Sequence, residues 1–486
     1  MWIYKFLNKY QHSSVTLKAT VWYTICNMLQ KLAAFLIVPC LTRMLSMEEY
    51  GLYTIFLSWL DIFEIVATLR IYSNGYVAGL VKNNDDQSKY TCSVQFASLV
   101  VTSVFFAIFY LLSPFISKQI QLEPQYIFLM FLSYYATASI GIWSARQRVN
   151  NRYKMMVLVT LCYSVLAPIC SIIAATVSTQ KLYAAINVRV WVQFAVSLPF
   201  LLGNIFGKNK SIVWKYCIHV LKYNFPLVPY YLSMVLLNNS DRIMIQRMIG
   251  ESEAAIYSVA CSISMTISVF SSALNLSIQP WMFNKLKNNT NEDISLTMSL
   301  TTVFITILNL FVLVSAPELI TIIVSDKYCD AKWTMPPIVI SLLVIFIYQQ
   351  FLNIHFYFGK SKIIFTASVT AAGLNLLLNY IFIRLWGYIA AGYTTLISYS
   401  IIAILYYVTM KQICKNKNIN YRKYFNTHFI ISDVFIFIII ATIMMFLYPY
   451  PLIRYGLIIV FILVVFSKRN DIIKLYKSYV LVQRGL

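Results

Sequence analysis

Apolar runs of about twenty residues recur from one end of the chain to the other, separated by short polar stretches. A helix rises ~1.5 Å per residue, so about twenty apolar residues cross the hydrocarbon of a bilayer. Only helices satisfy every backbone group locally at that length in lipid. The pattern predicts fourteen helical spans, near 17–39, 51–70, 90–113, 125–145, 155–177, 182–203, 224–247, 254–280, 296–316, 335–358, 363–384, 387–410, 427–448 and 450–467. The fold expected is all-α and integral to the membrane. The outer connections are short, the widest being about ten residues near Ser325–Thr334, so no outer domain is expected there. The longest inner connection, 204–223, carries Lys208, Lys210, Trp214, Lys215 and Lys222 and reads as an interfacial helix.

Composition supports this picture. Hydrophobic residues make up 59% of the chain and charged residues 12%, against about a quarter in soluble chains. The net charge is +22. With the N-terminus inside, 28 of the 39 lysines and arginines fall in inner loops and only 8 in outer ones. That asymmetry is the positive-inside bias of a multi-pass protein and makes nucleic acid a poor partner. It places both termini in the cytoplasm. The nine cysteines form no CxxC pair and mostly fall in apolar runs, so they read as small core residues, with no metal site. The first apolar run is too long for a cleaved signal and is expected to stay as a span.

An internal echo divides the chain. Arg43, Met44, Leu45, Glu49, Leu52 and Tyr53 recur as Arg247, Met248, Ile249, Glu253, Ile256 and Tyr257, at a constant offset of 204. A shift of six helices predicts two parallel repeats about an axis along the membrane normal. The domains expected are 1–203, a linker 204–223, 224–410, helices 13 and 14 over 427–467, and a cytoplasmic tail 468–486.

Polar side chains inside spans carry the candidate chemistry, because charge there is costly. Thr20, Thr24, Asn27 and Lys31 share one face of helix 1. Asp61 and Glu64 stand three apart on helix 2, where they either neutralise Lys31 or take up an ion. Arg189 lies on helix 6, and Asp241 and Arg242 are neighbours on helix 7 that point different ways. Asn238 is placed to reach either of them. Lys31, Arg189 and Arg242 each lie roughly 9–12 Å from the outer end of their helices. They suit a diphosphate or acidic sugar, unless each pairs privately with Asp61, Glu64 or Asp241. Arg146 and Arg148 close helix 4 at the inner mouth, where they serve the inside bias or hold an anionic headgroup. No phosphate-binding loop, GxSxG, HExxH or Cys/His cluster is present.

The run Asn238-x-x-Asp241-Arg242-x-x-Ile245, then Gly250-x-x-x-Ala254-x-Ile256-Tyr257, resembles the mid-chain signature of bacterial O-antigen and polysaccharide flippases. These belong to the multidrug/oligosaccharidyl-lipid/polysaccharide exporter superfamily. Pro39-x-x-x-Arg43-x-Leu45-x-x-x-Glu49-x-Gly51-x-Tyr53, Gln279-Pro280 and the run from Leu319 to Ala331 are similar to further family motifs. Ala255 stands where the first copy has Gly51. The resemblance implies two six-helix bundles around a central cavity, with two C-terminal helices outside the repeat. The cargo implied is a polyprenyl-diphosphate-linked oligosaccharide, moved across the bacterial inner membrane for O-antigen, lipopolysaccharide or related polysaccharide synthesis. Lys31, Asn27, Arg189, Arg242 and Arg148 would contact cargo. Asp61, Glu64 and Asp241 would couple transport to a proton or sodium ion. No cofactor is expected. Membrane lipids, a polysaccharide polymerase and chain-length proteins would be its partners. The alternatives are a drug or peptidoglycan-precursor exporter of the same superfamily and, from another class, a membrane polysaccharide polymerase or ligase.

Overall fold

The structure, a computed structural model, describes residues 15–457 apart from 151, 208, 288–293, 418–419 and 422–423. Lys208, the end of the last expected span and the tail 468–486 lie outside the described residues. Among the described residues there is no strand. Eleven helices are long and apolar enough to cross a membrane, or twelve if one bent pair is a single span. They include α1 (Val15–Met44), α2 (Met47–Thr68), α4 (Gln87–Leu111), α6 (Pro124–Val149), α7 (Tyr153–Val177) and α8 (Lys181–Ile205), with the short α3 (Asn74–Lys82) and α5 (Ser113–Ile120) between them. Next come α9 (Trp214–Asn224) and α10 (Val228–Met248). The 21 residues of α10 match a span in length, but Asn238, Asn239, Asp241, Arg242, Gln246 and Arg247 make it too polar to count by composition. The later helices are α11 (Glu251–Ser264), α12 (Ile267–Lys287), α13 (Ile294–Val314), α14 (Ala316–Leu319), α15 (Ala331–Tyr357), α16 (Ser361–Trp386), α17 (Ile389–Asn416) and α18 (Thr427–Leu447).

One expected helix is not straight. The span read as 254–280 is the pair α11 and α12, bent by 42°. The break falls at Met265 and Thr266 in a Ser/Thr-rich stretch. The Thr266 hydroxyl donates to the carbonyl of Ile263 at 2.7 Å. Such hydroxyls compete with the helix ladder and favour a bend.

The chain packs as two compact units, Met1–Ser258 with Leu376–Tyr388, and Val259–Asn375 with Ile389–Leu486. The domain bounds expected from sequence follow the repeat, whereas these units follow packing. In the first unit α10 packs along α2, α7 packs on α1 and α8, and α6 packs on α8. Tyr76, Tyr90, Val94, Ile142, Cys217 and Val220 are buried together and join α3, α4, α6 and α9. In the second unit α15 is the central helix and packs most closely on α17. There Arg454, 2% exposed, donates to both oxygens of Glu318, at 2.6 and 2.9 Å. Burial acts to raise the Glu318 carboxyl, but hydrogen bonds from Arg454 and Tyr455 outweigh it and hold it below the usual range.

The echoed motif is first a helix-starting device. Ser46 accepts from the Glu49 amide at 3.1 Å, and Glu49 accepts from the Ser46 amide at 2.9 Å, a reciprocal cap that opens α2. The two copies also touch each other. Ser252 donates to Glu48 at 3.1 Å, and Ser258 donates to Thr54 at 3.0 Å. Both pairs are separated by 204 positions, the repeat offset. The contacts therefore place these two copies of the motif side by side within the first unit. Between these pairs, a Cβ on Gly51 would stand 2.2 Å from the Glu251 carbonyl oxygen. Glycine is therefore required at 51, because backbone occupies the space a side chain would need. Gly51→Ala is expected to destabilise the protein by about 1–3 kcal/mol, as overpacking does. Thermal unfolding in detergent reads this, and an unchanged midpoint would contradict the close approach.

Candidate functional site

Helix α1 carries two exposed faces. Ile25, Leu29, Leu32 and Leu36 are exposed and apolar, at i, i+4, i+7 and i+11. Asn27 and Lys31 are also exposed. At 100° per residue they point about 150° away from that apolar stripe. Between the two faces lie buried Cys26, Ile37 and Leu41, with Gln30 donating to Ser164 of α7 at 2.9 Å. An apolar exposed stripe suits lipid, while an exposed amide and ammonium on another face need water or a polar ligand.

Helix α2 brings the carboxylates. Asp61 lies on an exposed part of its surface and accepts from Asn239 of α10 at 3.3 Å. Among the charges that act on Asp61, Arg242 is the strongest, followed by Arg70 and Arg189. Arg189, half-buried on α8, donates to the Tyr53 hydroxyl. Arg242 of α10, Arg189 of α8 and Arg70 of the turn after α2 are thus within electrostatic reach of Asp61, while Arg70 is ion-paired to Glu64 and Arg189 donates to Tyr53. Asn27 and Lys31 share the polar face of α1. Arg148 stands elsewhere, exposed at the end of α6 and within electrostatic reach of Tyr23 of α1.

The other two acids have different surroundings. Glu64 pairs with Arg70 at 3.8 Å and accepts from the Tyr72 hydroxyl. Arg70 lies 5.4 Å above the Tyr231 ring, whose hydroxyl accepts from Asn74 at 2.9 Å. Leu69 and Arg70 both have positive φ, 49° and 44°. Two non-glycine residues in that region cost roughly 1–2 kcal/mol each. The turn folds the chain back so that Arg70 meets Glu64 rather than extending away from the helix end. Asp241 is 4% exposed. It accepts from the Tyr257 hydroxyl at 2.5 Å and from Asn379 at 2.6 Å, one on each oxygen.

The sequence reading did not single out several of these residues. Arg70, in the turn after α2, pairs with Glu64. Asn239 donates to Asp61 at 3.3 Å, and Asn238 donates to the carbonyl of Met234 at 2.7 Å. Tyr53, Tyr72 and Tyr231 carry no charge to mark them. Asp433 was also passed over. It sits on the most apolar described helix and accepts from Thr306 at 2.7 Å. No group of three metal-ligating side chains occurs among the described residues.

A family model described as "polysaccharide biosynthesis protein" matches residues 16–286. The chain belongs to that family. Its matched region contains α1 to α10 and every candidate residue named above except Asn379 and Asp433. The chain is 23% identical over 426 residues to Lsg locus putative protein 1 of Haemophilus influenzae, covering 81% of this chain and 98% of that protein. Among solved structures it is similar to the lipid II flippase MurJ in an inward closed conformation. That match has a TM-score of 0.71, 15% identity, and coverage of 93% of this chain and 100% of that one. It is also similar to an inward-facing multidrug resistance MATE family transporter of the MOP superfamily, with a TM-score of 0.64 and 14% identity over 82% of this chain and 98% of that one. The fold is that of this transporter superfamily, and the protein is a multi-pass membrane protein.

Asp61 and Asp241 should therefore respond differently to amide replacement. Asp61→Asn is expected to leave thermal stability within about 0.5 kcal/mol, as exposed sites do. Asp241→Asn turns an amide NH2 toward either the Tyr257 hydroxyl or the Asn379 amide, donor against donor in a buried site, and should cost about 1–3 kcal/mol. Unfolding midpoints in detergent check both, and equal losses at the two positions would contradict the assignment.

Proposed function

We propose that this protein is a flippase that moves a polyprenyl-diphosphate-linked oligosaccharide across the bacterial inner membrane by alternating access, serving O-antigen or a related surface polysaccharide. The observation that supports the reading is the set of in-span polar groups of the first unit, with Arg242, Arg189 and Arg70 within electrostatic reach of an Asp61 that accepts from Asn239. A diphosphate and its sugars cannot cross hydrocarbon unaided. Guanidinium groups replace the water and counterions that such a headgroup leaves behind. Lys31 and Asn27 add a cation and an amide from α1, and Arg148 adds a cation at the end of α6. The inner-loop charge bias sets both termini in the cytoplasm.

In this reading the cargo phosphates and Asp61 compete for the same guanidinium groups. Cargo and a coupling cation, a proton or sodium, are then linked by Asp61, while Glu64 stays with Arg70 and Tyr72. The protein is a transporter, not an enzyme, and needs no cofactor. The lipid II flippase likeness spans nearly the whole chain, which favours a lipid-linked cargo over a free drug. The polymerase and chain-length proteins of the pathway would take the product on the outer side.

Reconstituted protein with a lipid-linked oligosaccharide tests the proposal, with delivery read by enzymatic access to the sugar from outside. Arg242→Gln and Arg189→Gln are each expected to slow delivery at least about tenfold at normal protein amount, equivalent to ~1.4 kcal/mol. Arg242→Lys should retain part of the rate. Parental rates in Lys31→Gln, Arg189→Gln and Arg242→Gln alike would remove the site. Unchanged ion dependence in Asp61→Asn would remove Asp61 as the coupling group.

A further inference from the structure

The short helix α9 is built with four different sides. Cys217, Val220 and Asn224 are buried, at i, i+3 and i+7. They seat the helix on α4, where the Val213 amide donates to Ser93 at 2.8 Å and Cys217 donates to the Ser93 carbonyl at 3.2 Å. A second side carries Trp214, Ile218 and Leu221 and continues to Phe225, at i, i+4, i+7 and i+11. Trp214, Ile218 and Phe225 are 68%, 61% and 68% exposed. A third side carries Lys215 and Lys222, seven apart and about 80° round from the apolar side. The fourth side carries Tyr216, His219 and Tyr223. A helix so arranged lies in the plane of a membrane interface, with apolar side chains toward the hydrocarbon and lysines at the phosphate level.

The apolar side forms one wall of a groove of about 580 Å³. Val100, Val101, Val104 and Phe105 of α4 form the facing wall, Leu69 and Pro226 contribute to its lining, and Lys222 is its one charged lining residue. No acidic residue occurs between Glu123 and Asp241, a stretch that contains the whole of α9 and its flanking loops. Lys210 is engaged differently, donating to the Phe206 carbonyl at 2.8 Å to close the end of α8. Lys215 and Lys222 are both exposed.

We propose that this groove is a binding site for one anionic phospholipid of the cytoplasmic leaflet. An acyl chain lies against Val100, Val104, Phe105 and Phe225, and Lys222 and Lys215 hold the phosphate-bearing headgroup. Neither Asp61, Arg189 nor Arg242 lines the groove, and the proposal does not depend on the cargo assigned above. An apolar groove alone would take any lipid tail. Lys222 in its lining, with Lys215 two turns away on the same side of α9 and no acidic residue lining the groove, selects a headgroup with net negative charge over a zwitterionic one.

The test uses the full chain in vesicles of phosphatidylcholine with a minor share of phosphatidylglycerol. One of the two lipids carries a photoreactive acyl chain, and adducts are located by peptide mapping. Adducts of the phosphatidylglycerol probe on residues 100–105 and 221–226 should exceed those of the phosphatidylcholine probe at least fivefold. Lys215→Gln with Lys222→Gln should abolish that preference, and Lys215→Arg with Lys222→Arg should keep it. Equal labelling by the two probes, or a preference that survives the glutamine pair, would overturn the proposal. Displacement of the probe by polyprenyl monophosphate at a lower concentration than by phosphatidylglycerol would overturn it too, by making the groove a cargo-tail site. Cargo delivery by the arginine variants reports separately on the flippase reading.

Discussion

A carboxylate survives inside an apolar bundle only when donors or cations meet its oxygens. The first unit meets that demand in three different ways. Asp241 is buried, with a donor from Tyr257 on one oxygen and a donor from Asn379 on the other. Glu64 is held by Tyr72 and by Arg70, which a strained two-residue turn brings back to it. Asp61 has an amide from Asn239 and three guanidinium groups in range, and part of its surface is open. The first two arrangements pin helices together. The third leaves the residue exposed, as neither of the other two does.

The same economy governs the contact between α2 and the start of α11. The motif that recurs at an offset of 204 begins a helix in each copy, and the copies meet through Glu48 with Ser252 and Thr54 with Ser258. Gly51 lets the backbones approach, whereas its counterpart is Ala255. Two copies in contact need not be identical, because the glycine in one already gives the clearance. A sequence departure thus has a steric reading. Polar pairs at this contact also satisfy hydroxyl groups that lipid could not.

Much of this was legible in the sequence because lipid imposes simple rules. Length and hydropathy located most of the helices. The repeat offset pointed to residues that the fold places in contact. What could not be read is tertiary. The distinction between Asp61 and Asp241 depends on Tyr257 and Asn379, which lie 16 and 138 residues from Asp241 in the chain. Arg70 looks like an inner-loop charge until the turn at Leu69 redirects it. The bend at Met265 and Thr266 gives no break in hydropathy. Asp433 was hidden by the strongly apolar helix around it. The motif that carried the family resemblance is largely architectural, while the arginines of the cluster come from helices that the motif only partly covers.

The central claim is that charged side chains in the first unit border water rather than lipid. Single cysteines in an otherwise cysteine-free protein, exposed to a small charged thiol reagent, test it most directly. Cysteines at Asn27, Lys31 and Asp61 are expected to react. Cysteines at Leu29 and Leu32, exposed on the apolar side of the same α1, are expected to stay unreacted because a thiol in hydrocarbon does not ionise. Reaction at Leu29 and Leu32 with none at Lys31 and Asp61 would reverse the two faces of α1 and contradict the account.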